Sequence, residues 1–331
     1  INLRTIRDKK MKKKFKIKIL AFVLFFSLNS YTEGEHKIFN LGNFDLESGV
    51  VLPNAKLSYV THGELNKEKD NLIFVPSAYL GDHHGFDFLI EPGKALDPNK
   101  YFIVATDMFQ NGLSSSPSNT PAPYDGPNFP LISIRDNVKA GHKLLTEEFG
   151  VKKIKSVVGF SMGAQQAFQW GVSYPYFVEK IVGIAGSAVE YPHGIVRLEG
   201  FIAAIKADQD FNEGQYTSPP EIGLRAGGAH WASWGWSQEW FRLGLYEEMG
   251  LNSTDEVIKW FEEFVLTWDA NNLIALAKTW QNNNIGNTPG FDGDFTKALG
   301  SIKAEVLYMP SETDMYFHID ALREEAKLIP G

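Results

Sequence analysis

The sequence contains no cysteine in 331 residues. This absence excludes disulfides, a thiolate nucleophile, thiolate zinc sites and a lipid-modified cysteine. A basic surface is also missing, because 40 Asp and Glu residues outnumber 32 Lys and Arg residues and give a formal net charge of −8. Binding to a nucleic-acid backbone requires a basic face, so no nucleic-acid partner is expected. The composition, 44% hydrophobic and 13% aromatic, is that of a globular protein with a sizeable core.

The first 30 residues have the pattern of a targeting segment. Met11 begins a lysine-rich stretch, an apolar run follows from Ile19 to Phe26, and Asn29 and Ser30 come next. A basic stretch, a short apolar run and a small residue near a cleavage point are typical of a secretory signal peptide. The alternative is an uncleaved membrane anchor, for which the run is short. We therefore predict that residues 1–30 are a leader, that this segment makes the only membrane contact, and that the protein is exported to the periplasm or secreted.

From Lys37 onward, segments typical of strands alternate with segments typical of helices. An alternating stretch at 57–62 predicts a strand near a sheet edge. Continuous apolar runs predict strands buried on both faces, at 71–76, 101–105, 155–159, 181–185 and 304–309. Ser133 and Asp136 have the spacing of a capping box at the start of a helix. This alternation predicts an α/β fold with a mainly parallel sheet.

The alternation stops between residues 187 and 302. Seven of the eight tryptophans lie in this segment: Trp231, Trp234, Trp236, Trp240, Trp260, Trp268 and Trp280. An insertion of this length between two strands predicts a helical lid. Most of its aromatic side chains are expected to form the core of the lid, and a few to line a substrate pocket. The chain is thereby divided into a core at 37–186, a lid at 187–302 and a continuation of the core at 303–331.

The most informative motif is Gly159-Phe160-Ser161-Met162-Gly163. An apolar strand precedes it and a helix follows, which is the context of a nucleophile elbow. The two glycines permit a tight strand-to-helix turn that presents the serine hydroxyl, so Ser161 is the candidate nucleophile. An ordinary turn with a serine at the helix N-cap is the alternative, and the complete strand–turn–helix context disfavours it.

A serine nucleophile needs oxyanion donors and an acid that orients a base. One oxyanion donor should be the backbone N–H of Met162, and the other should come from the loop after the strand at 71–76. Within that loop we select Tyr79 first and Ala78 next. The acid should follow a late strand, and Asp314 stands at the end of the last one. The neighbouring carboxylates Glu312 and Asp320 are weaker alternatives.

The general base is not evident from the sequence. In this arrangement the chain order is serine, acid and then histidine, and His318 alone follows Asp314. Because it lies only four residues further on, we interpret it as a structural or surface residue. The histidine pair His83 and His84, beside Asp82, suggests a metal site. No additional ligand at a suitable spacing accompanies this pair, so neither a metal nor a cofactor is predicted. We predict that a further strand and the catalytic histidine lie beyond Gly331, and that a chain ending there has little turnover.

Several motifs resemble the homoserine O-acetyltransferase-like branch of the α/β-hydrolase superfamily. They are Glu91–Asp97, Asn111–Ser118, Ile134–Val138, Gly159–Gln166 and Pro310–Asp314. The resemblance extends from about Lys37 to the end of the chain. It implies an α/β-hydrolase fold, with Ser161 as nucleophile, Asp314 as acid, Tyr79 and Met162 as oxyanion donors, and a histidine beyond Gly331.

Three functions are compatible with these observations. The first is an exported serine hydrolase of a small ester or acyl compound. The second is an O-acetyltransferase that uses acetyl-CoA, and the third is a non-catalytic binding module on the same fold. Export favours hydrolysis, because acyl-CoA is a cytosolic substrate, whereas the resemblance favours transfer.

Overall fold

The computed structural model describes residues 35–330. The leader predicted at residues 1–30 lies outside this range. Within residues 35–330, no helix is long and apolar enough to cross a membrane.

A seven-stranded sheet organises the described chain, with the strand order β1-β2-β4-β3-β5-β6-β7. The strands are β1 (Lys37–Asp45), β2 (Val51–His62), β3 (Leu72–Pro76), β4 (Phe102–Thr106), β5 (Ile154–Phe160), β6 (Val178–Ile184) and β7 (Glu305–Met309). β2 pairs antiparallel with β1 and with β4. The remaining pairs are parallel. The predicted α/β fold with a mainly parallel sheet is therefore confirmed.

Nine α-helices accompany the sheet in residues 35–330. They are α1 (Ile134–Lys143), α2 (Met162–Ser173), α3 (Pro192–Lys206), α4 (Glu221–Ala232), α5 (Gln238–Leu243), α6 (Thr254–Val265), α7 (Ala270–Gln281), α8 (Phe295–Gly300) and α9 (Ile319–Leu328). The predicted capping box is confirmed at α1, where the Ser133 side chain accepts from the Asp136 N–H and the Asp136 side chain accepts from the Ser133 N–H. The segment between β6 and β7 is helical and contains α3 to α8.

Two apolar clusters dominate the interior. The first lies around the sheet and α2, where Phe74, Phe168 and Trp170 are buried. The second joins the aromatic side chains of the helical segment to residues that follow the strands, and it includes Tyr79, Met162, Trp231 and Trp280. The predicted nucleophile elbow is therefore packed directly against the helical segment.

Helix α9 is fastened to the sheet by one buried carboxylate. Glu325 accepts hydrogen bonds from the Ala188 N–H at 2.9 Å, the Tyr191 hydroxyl at 3.0 Å and the Tyr308 hydroxyl at 2.8 Å. Burial raises the pKa of Glu325, against the effect of these donors. The contacts hold the segment that follows β7 beside the loop that follows β6.

The parallel strands place their following loops at one edge of the sheet. β5 pairs with β6, and β6 pairs with β7, all in the same direction. Ser161 follows β5 directly, and Asp314 follows β7 by five residues. The carboxyl ends of parallel strands are where ligands bind in open α/β sheets. β6 is the only strand paired with β7 in the described chain.

Candidate active site

Ser161 occupies a strained backbone position between β5 and α2. Its φ is 53° and its ψ is −121°, a conformation that non-glycine residues rarely adopt. A Cβ on Gly159 would collide with the backbone of Gly163, and a Cβ on Gly163 would lie 2.8 Å from the Pro76 carbonyl oxygen. Both glycines are therefore required for the close approach of β5, α2 and the end of β3. This geometry is that of a nucleophile elbow.

The loop after β3 is held by α2 on one side and by the helical segment on the other. The Gln166 side chain donates to the Ser77 carbonyl at 3.0 Å. The Tyr79 hydroxyl donates to the Leu273 carbonyl at 3.1 Å, and its ring stacks on Trp231 with centroids 5.1 Å apart. The first N–H groups of a helix have no intrahelical partner. The Met162 N–H, at the start of α2, is thus suited to the predicted oxyanion role beside Tyr79.

The far end of this loop is anchored by a buried carboxylate, Asp107. Its Oδ1 accepts from the His83 backbone N–H at 2.9 Å and from Asn111 Nδ2 at 3.1 Å. Its Oδ2 accepts from Ser58 Oγ at 2.5 Å and lies 2.9 Å from His83 Nδ1. Burial lowers the pKa of His83, but the hydrogen bond and charge of Asp107 outweigh it, and the pKa is raised. The contact between His83 Nδ1 and Asp107, together with the backbone hydrogen bond of His83, therefore secures the loop.

His36 joins this network from the start of the described chain. Its Nε2 lies 2.6 Å from Ser58 Oγ, and the possible ligand atoms of His36, His83 and Asp107 all lie within 4.8 Å of one another. This group differs from the His83, His84 and Asp82 group considered from the sequence. Since protein donors already engage both oxygens of Asp107, we interpret the group as a hydrogen-bond network.

Asp314 is partly buried, whereas its neighbouring carboxylates are exposed. Its Oδ1 accepts from the N–H groups of Tyr316 at 2.7 Å and Phe317 at 3.1 Å. Burial raises the pKa of Asp314, whereas these N–H groups and Arg197 lower it. The alternatives Glu312 and Asp320 are exposed on the surface, and Asp314 stays the predicted acid.

The described residues include every histidine of the chain: His36, His62, His83, His84, His142, His193, His230 and His318. None of them is hydrogen-bonded to Ser161 or to Asp314 in this part of the chain. His318 is exposed and immediately precedes α9, where its side chain makes no capping hydrogen bond, so it lies at the surface.

A residue that sequence reasoning missed is Arg197, on α3. It is only 3% exposed. Its guanidinium carbon lies 4.4 Å from the ring centroid of Tyr316, 4.7 Å from that of Trp280 and 5.3 Å from that of Trp231. These rings come from distant parts of the sequence, so no local pattern could have indicated the arrangement.

Glu190 lies near Arg197 and is itself buried. Its Oε2 accepts from Trp280 Nε1 at 2.6 Å and from Gln165 Nε2 at 3.3 Å. Burial raises the pKa of Glu190 to about 8, although Arg197 and both donors lower it. Burial thus favours the neutral carboxyl, whose Oε2 is hydrogen-bonded to Trp280 and Gln165 and not to Arg197.

Comparison with known proteins gives one consistent result. A family described as "alpha/beta hydrolase fold" matches residues 71–331. An ethyl acetate hydrolase from Pseudomonas veronii is 40% identical over 312 residues, which cover 92% of this chain and 89% of the relative. A homoserine O-acetyltransferase from Leptospira biflexa is 32% identical, with 82% and 78% covered. The structure of the acetyl esterase MekB is similar with a TM-score of 0.87, 39% identity, and 90% and 87% covered.

Proposed function

Because the chain belongs to the α/β-hydrolase fold family, and within it to the homoserine O-acetyltransferase-like branch, we propose that it is a serine esterase of small acyl esters. Its esterase and acetyltransferase homologues indicate an enzyme of acyl transfer or ester hydrolysis. The strained elbow at Ser161 is the observation that carries the proposal. Enzyme homologues and this geometry together disfavour a non-catalytic binding module.

The reaction proceeds through a covalent acyl-enzyme. Ser161 Oγ attacks the ester carbonyl while a general base takes its proton, and the N–H groups of Met162 and Tyr79 bind the oxyanion. The protonated base then gives the proton to the leaving alcohol, and the bond between carbonyl carbon and alkoxy oxygen breaks. A water molecule attacks the acyl-enzyme in the same manner and releases the acid. Asp314 orients the base and stabilises its charged form.

We propose ester hydrolysis rather than acyl transfer because the relatives include esterases. One of them is named for the hydrolysis of ethyl acetate. We expect the full-length protein to release acetate from ethyl acetate in water. Addition of acetyl-CoA and homoserine should give no O-acetylhomoserine above the uncatalysed rate. Product analysis by NMR measures both reactions in one sample, and rapid acetylation of homoserine would establish the transferase instead.

Export is a second component of the proposal, and it is supported by the lysine-rich stretch and the apolar run before residue 30. Expressed from Met11 in a bacterial host, the protein is expected to be cleaved near Ser30 and recovered outside the cytoplasm. N-terminal sequencing of the periplasmic fraction tests this. An intact Met11 terminus on a cytosolic product would contradict export and would make acetyl-CoA an accessible substrate.

The general base is proposed to be a histidine beyond Gly331, on a loop after a strand that pairs with the open side of β7. The support is the chain order of the residues and the absence of a hydrogen bond from any of the eight described histidines to Ser161 or Asp314.

A further inference from the structure

The most unusual group in the described chain is the guanidinium of Arg197. It is almost completely buried, yet Nε, Nη1 and Nη2 all lack a hydrogen-bond partner. A guanidinium carries five N–H donors. A buried charge without a counterion is strongly unfavourable, and buried polar groups in proteins are nearly always paired. The N–H donors of Arg197 therefore lack the acceptors that a buried guanidinium requires.

The protein groups around Arg197 do not supply these acceptors. The rings of Trp231, Trp280 and Tyr316 lie against the guanidinium and offer their π faces to its charge. The Glu190 Oε2 atom accepts hydrogen bonds from Trp280 and Gln165, and no nitrogen of Arg197 is hydrogen-bonded to Glu190. Asp314 Oδ1 is bonded to two backbone N–H groups. An anion of external origin would complete the arrangement.

Arg197 lies close enough to the proposed catalytic residues to interact with them electrostatically. Its charge acts on Tyr79, on the predicted oxyanion loop, and on Asp314, the predicted acid. Tyr316, which covers the guanidinium, follows Asp314 by two residues. A ligand on Arg197 is therefore adjacent to the groups proposed for ester cleavage.

We propose that Arg197 binds a carboxylate of the substrate, so that the preferred esters are anionic. The inference rests on the proposed esterase function and adds its substrate class. A carboxylate accepts two parallel N–H bonds from a guanidinium, which fixes orientation as well as charge. The aromatic rings exclude water and strengthen the interaction. The carboxylate belongs either to the acyl group or to the alcohol, and matched esters separate these sources.

The kinetic test uses two pairs of esters of equal shape. On the acyl side, monoethyl succinate is compared with ethyl 4-methylpentanoate. On the alcohol side, acetoxyacetate is compared with isobutyl acetate. We expect the full-length protein to favour the anionic member of one pair by about 10- to 100-fold in kcat/KM, the range of charge-assisted hydrogen bonds. The Arg197→Met variant should lose this preference, and Arg197→Lys should retain part of it.

The matched control is Arg225→Met. Arg225 is an arginine of the same helical segment, but its side chain is 44% exposed and 4.0 Å from Glu262. This variant should keep the preference of the unmodified protein. Absence of any preference for the anionic esters, or its persistence in Arg197→Met, would overturn the assignment.

A binding measurement separates this inference from the proposed function. In the Ser161→Ala protein, succinate and acetoxyacetate are titrated, and the fluorescence of the tryptophans that include Trp231 and Trp280 is followed. We expect saturable quenching by the anion of the favoured pair, and none in the Ser161→Ala, Arg197→Met double variant. Equal quenching by chloride at matched ionic strength would show a general anion site and refute the substrate assignment. Carboxylate binding without esterase activity would contradict the proposed function but retain the site.

Discussion

Replacement of Ser161 by alanine is expected to abolish acyl-enzyme formation and to lower kcat for a small acetate ester by roughly 10⁴- to 10⁶-fold. In the proposed mechanism this hydroxyl supplies the atom that becomes bonded to the acyl group, so only the proposed oxyanion donors and the binding site remain in the variant. Two measurements check this: steady-state hydrolysis of ethyl acetate, and labelling by a fluorophosphonate followed by mass spectrometry. The experiment uses the full-length gene product.

The matched control is Ser233→Ala, on the exposed surface of the helical segment, where the hydroxyl donates to the His230 carbonyl. This variant should be labelled and should turn over as the unmodified protein does. Labelling of the Ser161→Ala protein at the unmodified rate would show that another residue is the nucleophile.

The elbow could be predicted because all its determinants are local. The strand, two glycines and helix that force Ser161 to a φ of 53° lie within about 20 consecutive residues. The buried strands were predictable for a similar reason, since β3 and β4 are buried on both faces and are apolar throughout. In each of these cases a short segment contains the information that fixes its structure.

β1 was not predicted as a separate strand, and its irregularity explains why. The register with β2 shifts twice, between Asn40 and Gly42 and again between Gly42 and Phe44. Each shift breaks the two-residue period by which an edge strand is recognised. Antiparallel pairing with β2 nevertheless places Phe44 in the core.

The groups around the site were not predictable where their partners are distant in sequence. The sequence suggested His83 with Asp82 and His84, which are adjacent to it. The fold instead pairs His83 with Asp107, at the end of β4. Arg197 likewise depends on rings that follow it by 34 to 119 residues in the chain. Only packing of the helical segment on the sheet brings such groups together.

The largest remaining effect concerns the general base. We expect a protein ending at Gly331 to hydrolyse ethyl acetate at least about 10⁴-fold more slowly than the product of the full reading frame, because a triad serine without its histidine loses most of its activity. No described histidine is hydrogen-bonded to Ser161 or Asp314. The Oδ1 atom of Asp314, the predicted acid, already accepts hydrogen bonds from two backbone N–H groups. In the proposed mechanism the site therefore holds an oriented acid and a strained serine, and we expect an imidazole between them.

Added imidazole makes this prediction specific. In the protein ending at Gly331, free imidazole should restore part of the turnover, since it can take the proton of Ser161 Oγ. The same protein with Ser161→Ala should show no such rescue, because it has no proton to transfer. His318→Ala, the control, should change neither the basal nor the rescued rate, because His318 is exposed at the start of α9. Full activity of the protein ending at Gly331, or its loss on replacing His318, would place the base within the residues described and contradict the proposal.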